Sequence, residues 1–237
     1  MKNNRIMKKI LILSVILTIG FTQVNAQPKL TFSKGFKANV AVANFRMENT
    51  ERKSKAGFGV SFGSSDKLEI GDYFALQGEC LFSYGSSGMS DGTTATEHTL
   101  KYWNVEVPGY LVGQFNNRWG KVFLGIGSYI GYGLSATSHP GNVNLYKRDA
   151  TTGKISLSRW DFGTAAILGC EFANGIYIDA AYQMGFANLL NSSADATMKS
   201  HVFTLGIGYR FQLFSLKLDK NKIIYEGIFN RNRNGND

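Results

Sequence analysis

His201-Val202-Phe203-Thr204-Leu205-Gly206-Ile207-Gly208-Tyr209-Arg210-Phe211 alternates a bulky apolar residue with a small, polar or charged one over eleven positions. Successive side chains of a β-strand point to opposite faces, so this spacing places Phe203, Leu205, Ile207, Tyr209 and Phe211 on one face and Thr204, Gly206, Gly208 and Arg210 on the other. One face is greasy and the other is small or charged. Between Gly35 and Phe214 the same unit recurs, a run of about ten alternating residues ended in turn by a long polar loop and a short connection.

Read outward from that stretch, the chain predicts eight strands: Gly35 to Phe45, Ala56 to Gly63, Tyr73 to Tyr84, Leu100 to Phe115, Lys121 to Leu134, Arg159 to Phe172, Ile176 to Phe186 and His201 to Phe214. The connections Arg46 to Lys55, Gly85 to Thr99, Ser135 to Ser158 and Ala187 to Ser200 are long and rich in Ser, Thr, Asn, Asp and Gly. Ser64 to Asp72, Asn116 to Gly120 and Ala173 to Gly175 are short. Short periplasmic turns facing longer extracellular loops are the mark of an outer-membrane barrel. The expected fold is all-β, an eight-stranded antiparallel up-and-down transmembrane barrel. It must close, because an unpaired backbone group in hydrocarbon costs on the order of several kcal/mol.

A soluble lipocalin-like barrel is the rival, with its apolar face turned inward. The glycines separate the two. Gly57, Gly59, Gly63, Gly125, Gly127, Gly131, Gly133, Gly163, Gly169, Gly206 and Gly208 share the polar face of their strands, where a wet surface would gain nothing from losing its side chains and a narrow lumen would gain room. Aromatics near the strand ends (Trp103, Phe115, Tyr132, Trp160, Phe172, Phe186, Phe211) flank aliphatics nearer the middle (Val105, Val107, Ile126, Ile130, Leu168, Ile178, Leu205), as interfacial girdles flank a lipid-facing band.

The first 26 residues read as a secretory signal: Lys2, Arg5, Lys8 and Lys9, then the short apolar run Ile10 to Phe21, then small residues before a cleavage site between Ala26 and Gln27. Residues 27–214 form the barrel domain and 215–237 a periplasmic tail. The 26 Lys and Arg residues include those four in the leader, so 22 remain against 17 acids and the formal +9 falls to +5. Much of the basic character is thus an export signal, and nucleic acid is not an expected partner. Cys80 and Cys170 both fall in phase with the outward set, from strands too far apart to pair, and read as small apolar residues.

The inward set carries Lys37, Glu79, Glu106, Asp161, Glu171, Asp179 and Arg210, with Asn39, Gln77, Tyr102, Asn104, Tyr177 and Gln183. Eight strands leave a lumen just wide enough for side chains to fill, so these groups read as a plug of salt bridges and hydrogen bonds rather than an ion path. Pro108 cannot donate a ladder bond, which predicts a bulge or local widening. His98 and His201 fall at the outer rim near Ser86, Ser87 and Ser200, the arrangement a lipid-modifying enzyme would need, but no base and orienting acid can be named from their spacing. His139 stands apart, and no metal or cofactor motif is present. The chain reads as non-catalytic.

Several stretches resemble the PorT-type family of outer-membrane β-barrel proteins. Phe74-Ala75-Leu76-Gln77-Gly78-Glu79-Cys80-Leu81-Phe82-Ser83-Tyr84 is similar to the family's third strand and Tyr102-Trp103-Asn104-Val105-Glu106-Val107-Pro108 to its fourth. Asp161-Phe162-Gly163, Tyr182-Gln183-Met184-Gly185-Phe186 and Gly206-Ile207-Gly208-Tyr209-Arg210-Phe211 look like the sixth, seventh and closing strands. The resemblance implies the outer membrane of a Gram-negative bacterium and no catalytic residues. Its founding type is tied to type IX secretion. The implied role is structural or accessory to envelope assembly or secretion, with surface-loop binding of an external ligand or host surface as the alternative and a rim Ser/His lipid-modifying enzyme as a further one. Expected partners are outer-membrane lipid and lipopolysaccharide, the barrel-assembly machinery, and secretion-system or periplasmic proteins. One departure stands out: such barrels end on an aromatic residue of the last strand, whereas Ser215 to Asp237 continue past Phe214. The tail reads as a disordered extension, or as an apolar segment, Ile223 to Phe229, that docks a partner or the barrel mouth.

Overall fold

A computed structural model describes residues 29–49, 53–90, 97–139, 143–147, 157–190, 196–219 and 222–227. The expected leader and its Ala26–Gln27 cleavage site lie outside these residues. Among those described, no helix is long and apolar enough to cross a membrane, and the crossing falls to strands.

The strands are β1 (Lys29–Glu48), β2 (Lys53–Ile70), β3 (Phe74–Ser90), β4 (Glu97–Asn117), β5 (Gly120–His139), β6 (Val143–Asn144), β7 (Trp160–Phe172), β8 (Ile176–Gly185), β9 (Thr197–Asp219) and β10 (Lys222–Gly227). Eight of them pair antiparallel in the order β1-β2-β3-β4-β5-β7-β8-β9, and β9 returns to β1 to close the ring. The two-residue β6 adds to the outer end of β5, and β10 to the periplasmic end of β9. One circuit of paired neighbours runs Leu30, Ile70, Phe74, Gly113, Leu124, Leu168, Ala180, Leu205 and back to β1 at Val40, ten residues beyond its start. That stagger tilts the strands by about 40° to the barrel axis.

Orientation follows the expected phase. Phe203, Leu205 and Ile207 are 44%, 52% and 58% exposed on the outer wall, while Glu79 and Arg210 are 3% exposed in the lumen. Tyr84 and Trp103 stack at 4.6 Å and Tyr132 meets Trp160 at 4.9 Å on the outer interface, with Phe115, Trp119 and Phe172 exposed near the inner one. Both cysteines are free, and Cys80 is exposed on the outer wall.

The strands run longer than expected. A spanning strand needs about 9–11 residues, yet β1 has 20 and β9 has 23. Ser64 to Ile70, expected as a turn, continue β2, and the turn closes at Gly71 with φ +69°. Gly85 to Ser90, Ser135 to His139 and Thr197 to Ser200 likewise extend β3, β5 and β9 into segments read as loop. Outside the bilayer the outward face turns polar, which hides the alternation while the ladder persists.

Two further expectations are refined. Of the bulge or local widening expected at Pro108, the ladder shows the second: Gly78 opposite Gly109 and Leu81 opposite Glu106 stay in step on either side, and the pairing between them is lost. The register shift of β4 against β5 falls instead between Trp103 and Asn104. The expected domain boundary at Phe214 lies inside β9, which continues to Asp219. Residues 222–227 then fold back on Phe214 to Asp219 as a hairpin rather than trailing away. They occupy the edge of β9 that β8 leaves open below its first pair, Ile176 with Tyr209.

Candidate functional site: the filled lumen

All seven lumen residues singled out from the sequence face inward, and the structure divides them among three levels. At the periplasmic end, Arg210 pairs with Glu171, and its second guanidinium nitrogen donates to Ser65 Oγ at 3.0 Å and Gln77 Oε1 at 3.2 Å. The guanidinium carbon sits 4.3 Å from the centre of the Tyr177 ring. Lys67, fully buried, places Nζ 3.1 Å from Glu171 and 3.4 Å from Glu69, and Lys121 also reaches Glu69.

One level up, Lys37 Nζ donates to both carboxylate oxygens of Glu79 at 3.1 Å and lies 2.9 Å from Asp179 Oδ1. The Asp179 contact is an ion pair without the alignment of a hydrogen bond, since neither carboxylate oxygen finds a hydrogen-bond donor. Gln77 Nε2 completes Glu79 at 2.8 Å, and Asn39 Nδ2 donates to Ser61 Oγ at 2.8 Å. Gly206 explains why the group fits: a β-carbon there would stand 2.2 Å from Asn39 Oδ1 and 2.7 Å from Lys37 Cε. Gly208 and Gly169 give the same room to the Tyr177 and Phe123 rings. Glycine on the lumen face is space for the plug.

At the third level Asn104 Nδ2 donates to Glu106 Oε1 at 2.6 Å, and Asp161 accepts from Ser200 and from Tyr129 at 3.1 Å. No ion pair among the described residues engages Glu106 or Asp161. Both line a cavity of about 90 Å³ together with Glu79, Tyr102, Tyr129 and Gln183, room for several water molecules. Above it the outer mouth is apolar. Phe45, Leu100, Ala136, Leu157 and Met198 form a buried cluster, with Leu145, Tyr146, Leu189 and Leu190 from the connections packed on it. Arg159 stacks 4.6 Å from the Tyr146 ring, and burial pushes the Tyr146 hydroxyl pKa up against the opposing pull of that guanidinium.

The lumen is thus less uniformly polar than expected. Tyr110, Val112, Phe123, Tyr129 and Ile167 form an apolar cluster with Ala75, Ala165 and Ala181 on β3 to β8, interleaved with the ionic groups. Sequence reasoning also missed Lys67, Glu69 and Lys121. With them the ionisable lumen residues named here come to four basic and six acidic side chains, in place of two and five. The signal was available: Ser65, Lys67 and Glu69 alternate with Asp66, Leu68 and Ile70 in unbroken phase from Ser61.

His201 does not assemble with a serine. His201 Nδ1 is bonded to the Tyr182 hydroxyl at 2.8 Å on the outer wall, while Ser200 points into the lumen toward Asp161 and Tyr129. The side chain of His98 lies outside the described residues.

A family model, the outer membrane protein beta-barrel domain, matches residues 18–191. The chain belongs to this family. Its place is therefore the outer membrane of a Gram-negative envelope. No curated protein matches the sequence. Among solved structures it is similar to Ail, the attachment invasion locus protein of Yersinia pestis, at 19% identity over 78% of this chain and 100% of that one, with a TM-score of 0.40. It is also similar to Neisserial surface protein A, at 16% identity over 75% and 97% with a TM-score of 0.44. OprG from Pseudomonas aeruginosa shares 12% identity over 78% and 96% with a TM-score of 0.43.

Proposed function

We propose that this barrel neither conducts nor catalyses, and serves envelope assembly or protein secretion as a structural or accessory component that meets its partners through its loops or its periplasmic end. The observation that carries this reading is the filling of the lumen. Ion-paired side chains fill its periplasmic half, and an apolar cluster lines its outer mouth above the cavity. A water column along the axis would have to break the ion-paired filling. The accessory role itself rests on the PorT-type resemblance of the strands, since a fold alone names no task. A strain deleted for the gene, scored for its secreted proteome and envelope barrier, is expected to lose exported proteins or become permeable to large antibiotics. A mutant matching its parent in both would overturn the accessory role. Discrete conductance steps from the purified barrel in planar bilayers would overturn the closed lumen.

A second reading has one observation in its favour. β3, β4, β5 and β9 continue past the outer aromatic girdle, and the apolar cluster ties Leu145, Tyr146, Leu157, Leu189 and Leu190 to the mouth. Such a base would hold the loop between Ser135 and Ser158 for an external ligand or a host surface. Trimming residues 148–156 should then abolish surface adhesion while the barrel still folds; unchanged adhesion removes this reading.

A further inference from the structure

Glu106, Gly131 and Asp161 are direct cross-strand neighbours in one row across β4, β5 and β7, and all three line the lumen cavity. A glycine thus separates two carboxylates whose strands lie two spacings apart, about 9–10 Å. The plug does not use the room this glycine gives. A β-carbon at Gly206 would stand 2.2 Å from Asn39 Oδ1, whereas one at Gly131 would come no nearer than 3.7 Å to Glu106 Cγ and to Asp161 Cβ. The row is a notch with an acid on each side.

Acceptors outnumber donors around it. Asn104 Nδ2 serves Glu106, and Ser200 and Tyr129 serve Asp161 Oδ2, while Asp161 Oδ1 and Asn104 Oδ1 are sealed from solvent and receive no hydrogen bond. The nearby cations are committed elsewhere: Lys37 to Glu79 and Asp179, and Arg159 to the carbonyls of Gly133 and Leu134. Tyr110, only 4% exposed, lines the same space within electrostatic reach of Glu79 and Glu106, and its hydroxyl makes no hydrogen bond among the described residues. Carboxylates withdrawn from water need a counter-charge, and buried oxygens without donors need N–H groups. An ammonium group brings a positive charge and three donors together. The rings of Tyr102, Tyr110 and Tyr129 in the same lining favour an organic cation. No group of three His, Cys, Asp or Glu side chains among the described residues is arranged to hold a metal ion. Toward the mouth the lining turns apolar at Leu100, Leu157 and Met198.

We propose that Glu106, Asp161 and Asn104, set around the Gly131 notch, form a dead-end site in the lumen for a small primary amine with a short apolar tail, entered from the outer mouth. The ammonium group lies in the notch between the two carboxylates, and the tail lies against Leu100, Leu157 and Met198. A neutral molecule of the same shape would leave both carboxylates without a counter-charge, and an ammonium ion alone would gain nothing from the apolar end. The ion-paired levels of Lys37, Lys67 and Arg210 below stop onward passage, so the site binds without conducting.

The mature protein, isotope-labelled in phosphatidylcholine nanodiscs and titrated with n-butylammonium chloride at neutral pH, provides the test, read from the side-chain amide signals of Asn104 and Gln183. Both signals should shift saturably with the amine, and n-butanol, its neutral isostere, should produce no saturable shift. Glu106→Gln and Asp161→Asn should each weaken the amine at least about tenfold. Glu48→Gln, which removes an exposed carboxylate from the outer end of β1, should leave the affinity unchanged. Gly131→Lys supplies the ammonium from the wall itself and should abolish the shifts. Equal binding of butylammonium and butanol overturns the proposal, as does full affinity in the Glu106→Gln/Asp161→Asn pair. Full competition by potassium chloride at the concentration of the amine would make this an inorganic-ion site and overturn the assignment to an amine. Should the paired variant fail to fold, the comparison of butylammonium with butanol on the unaltered protein decides.

Discussion

Lys37 and Asp179 meet at 2.9 Å over the bare Cα of Gly206, where a β-carbon would stand 2.7 Å from Lys37 Cε and 2.9 Å from Asp179 Oδ1. The two side chains are about 1% and 0% exposed, so their fit depends on what the facing strand leaves out. Gly206→Val is expected to lower barrel stability by about 1–3 kcal/mol through overpacking, measured as the urea midpoint in vesicles. Gly78 faces outward with nothing near its absent β-carbon, and Gly78→Ala should change the midpoint little.

Removing the cation from this group tests its electrostatics. Lys37→Met leaves Glu79 and Asp179 buried without their shared partner, and breaking a buried pair from one side costs about 3–5 kcal/mol. Adding Glu79→Gln and Asp179→Asn to that variant should recover most of the loss in the same urea titration. A single variant as stable as the parent would mean that the plug is not held by this pairing.

How far such groups were legible depends on where they lie along a strand. Within the bilayer the outward face must be apolar, so Phe203, Leu205 and Ile207 announced the phase and with it the inward placement of Lys37, Glu79, Asp179 and Arg210. Below the bilayer both faces of β2 carry polar residues, and Ser64-Ser65-Asp66-Lys67 reads as a turn unless the phase is carried forward from Ser61. Lys67 and Glu69 were lost for that reason. The apolar cap escaped for another: Leu157, Leu189 and Leu190 lie in polar connections, and only the closed ring brings them over Phe45 and Leu100. Val112, Phe123 and Ile167 fell on the face expected to be polar, because contact between side chains across a lumen has no trace in the periodicity of one strand.

The hairpin at the periplasmic end predicts a graded effect. Residues 222–227 cover the edge of β9 from Phe214 to Asp219, while all eight ladders of the ring lie outside it. A chain ending at Asp219 should still fold and show boil-dependent gel migration. Its exposed strand edge should speed proteolysis at the periplasmic end and promote aggregation during refolding. Loss of the migration shift would mean that the hairpin is needed for closure.

Polarity on the outer wall sets a further expectation. Ile207 faces lipid near mid-strand, and Ile207→Arg should cost about 2–4 kcal/mol at that depth, read from reversible folding into vesicles. Lys34→Ala, at an outward position already polar, should fall within about 0.5 kcal/mol of the parent in the same assay.

The most direct measurement is the accessibility of single spin labels placed in turn from Phe203 to Arg210, in a protein whose Cys80 and Cys170 have been replaced, reconstituted in bilayers. Collision with membrane-dissolved oxygen should be high at 203, 205, 207 and 209 and low at 204, 206, 208 and 210. The opposite phase, or no alternation, would contradict a wall with its apolar face in lipid and its ionised groups packed along the axis.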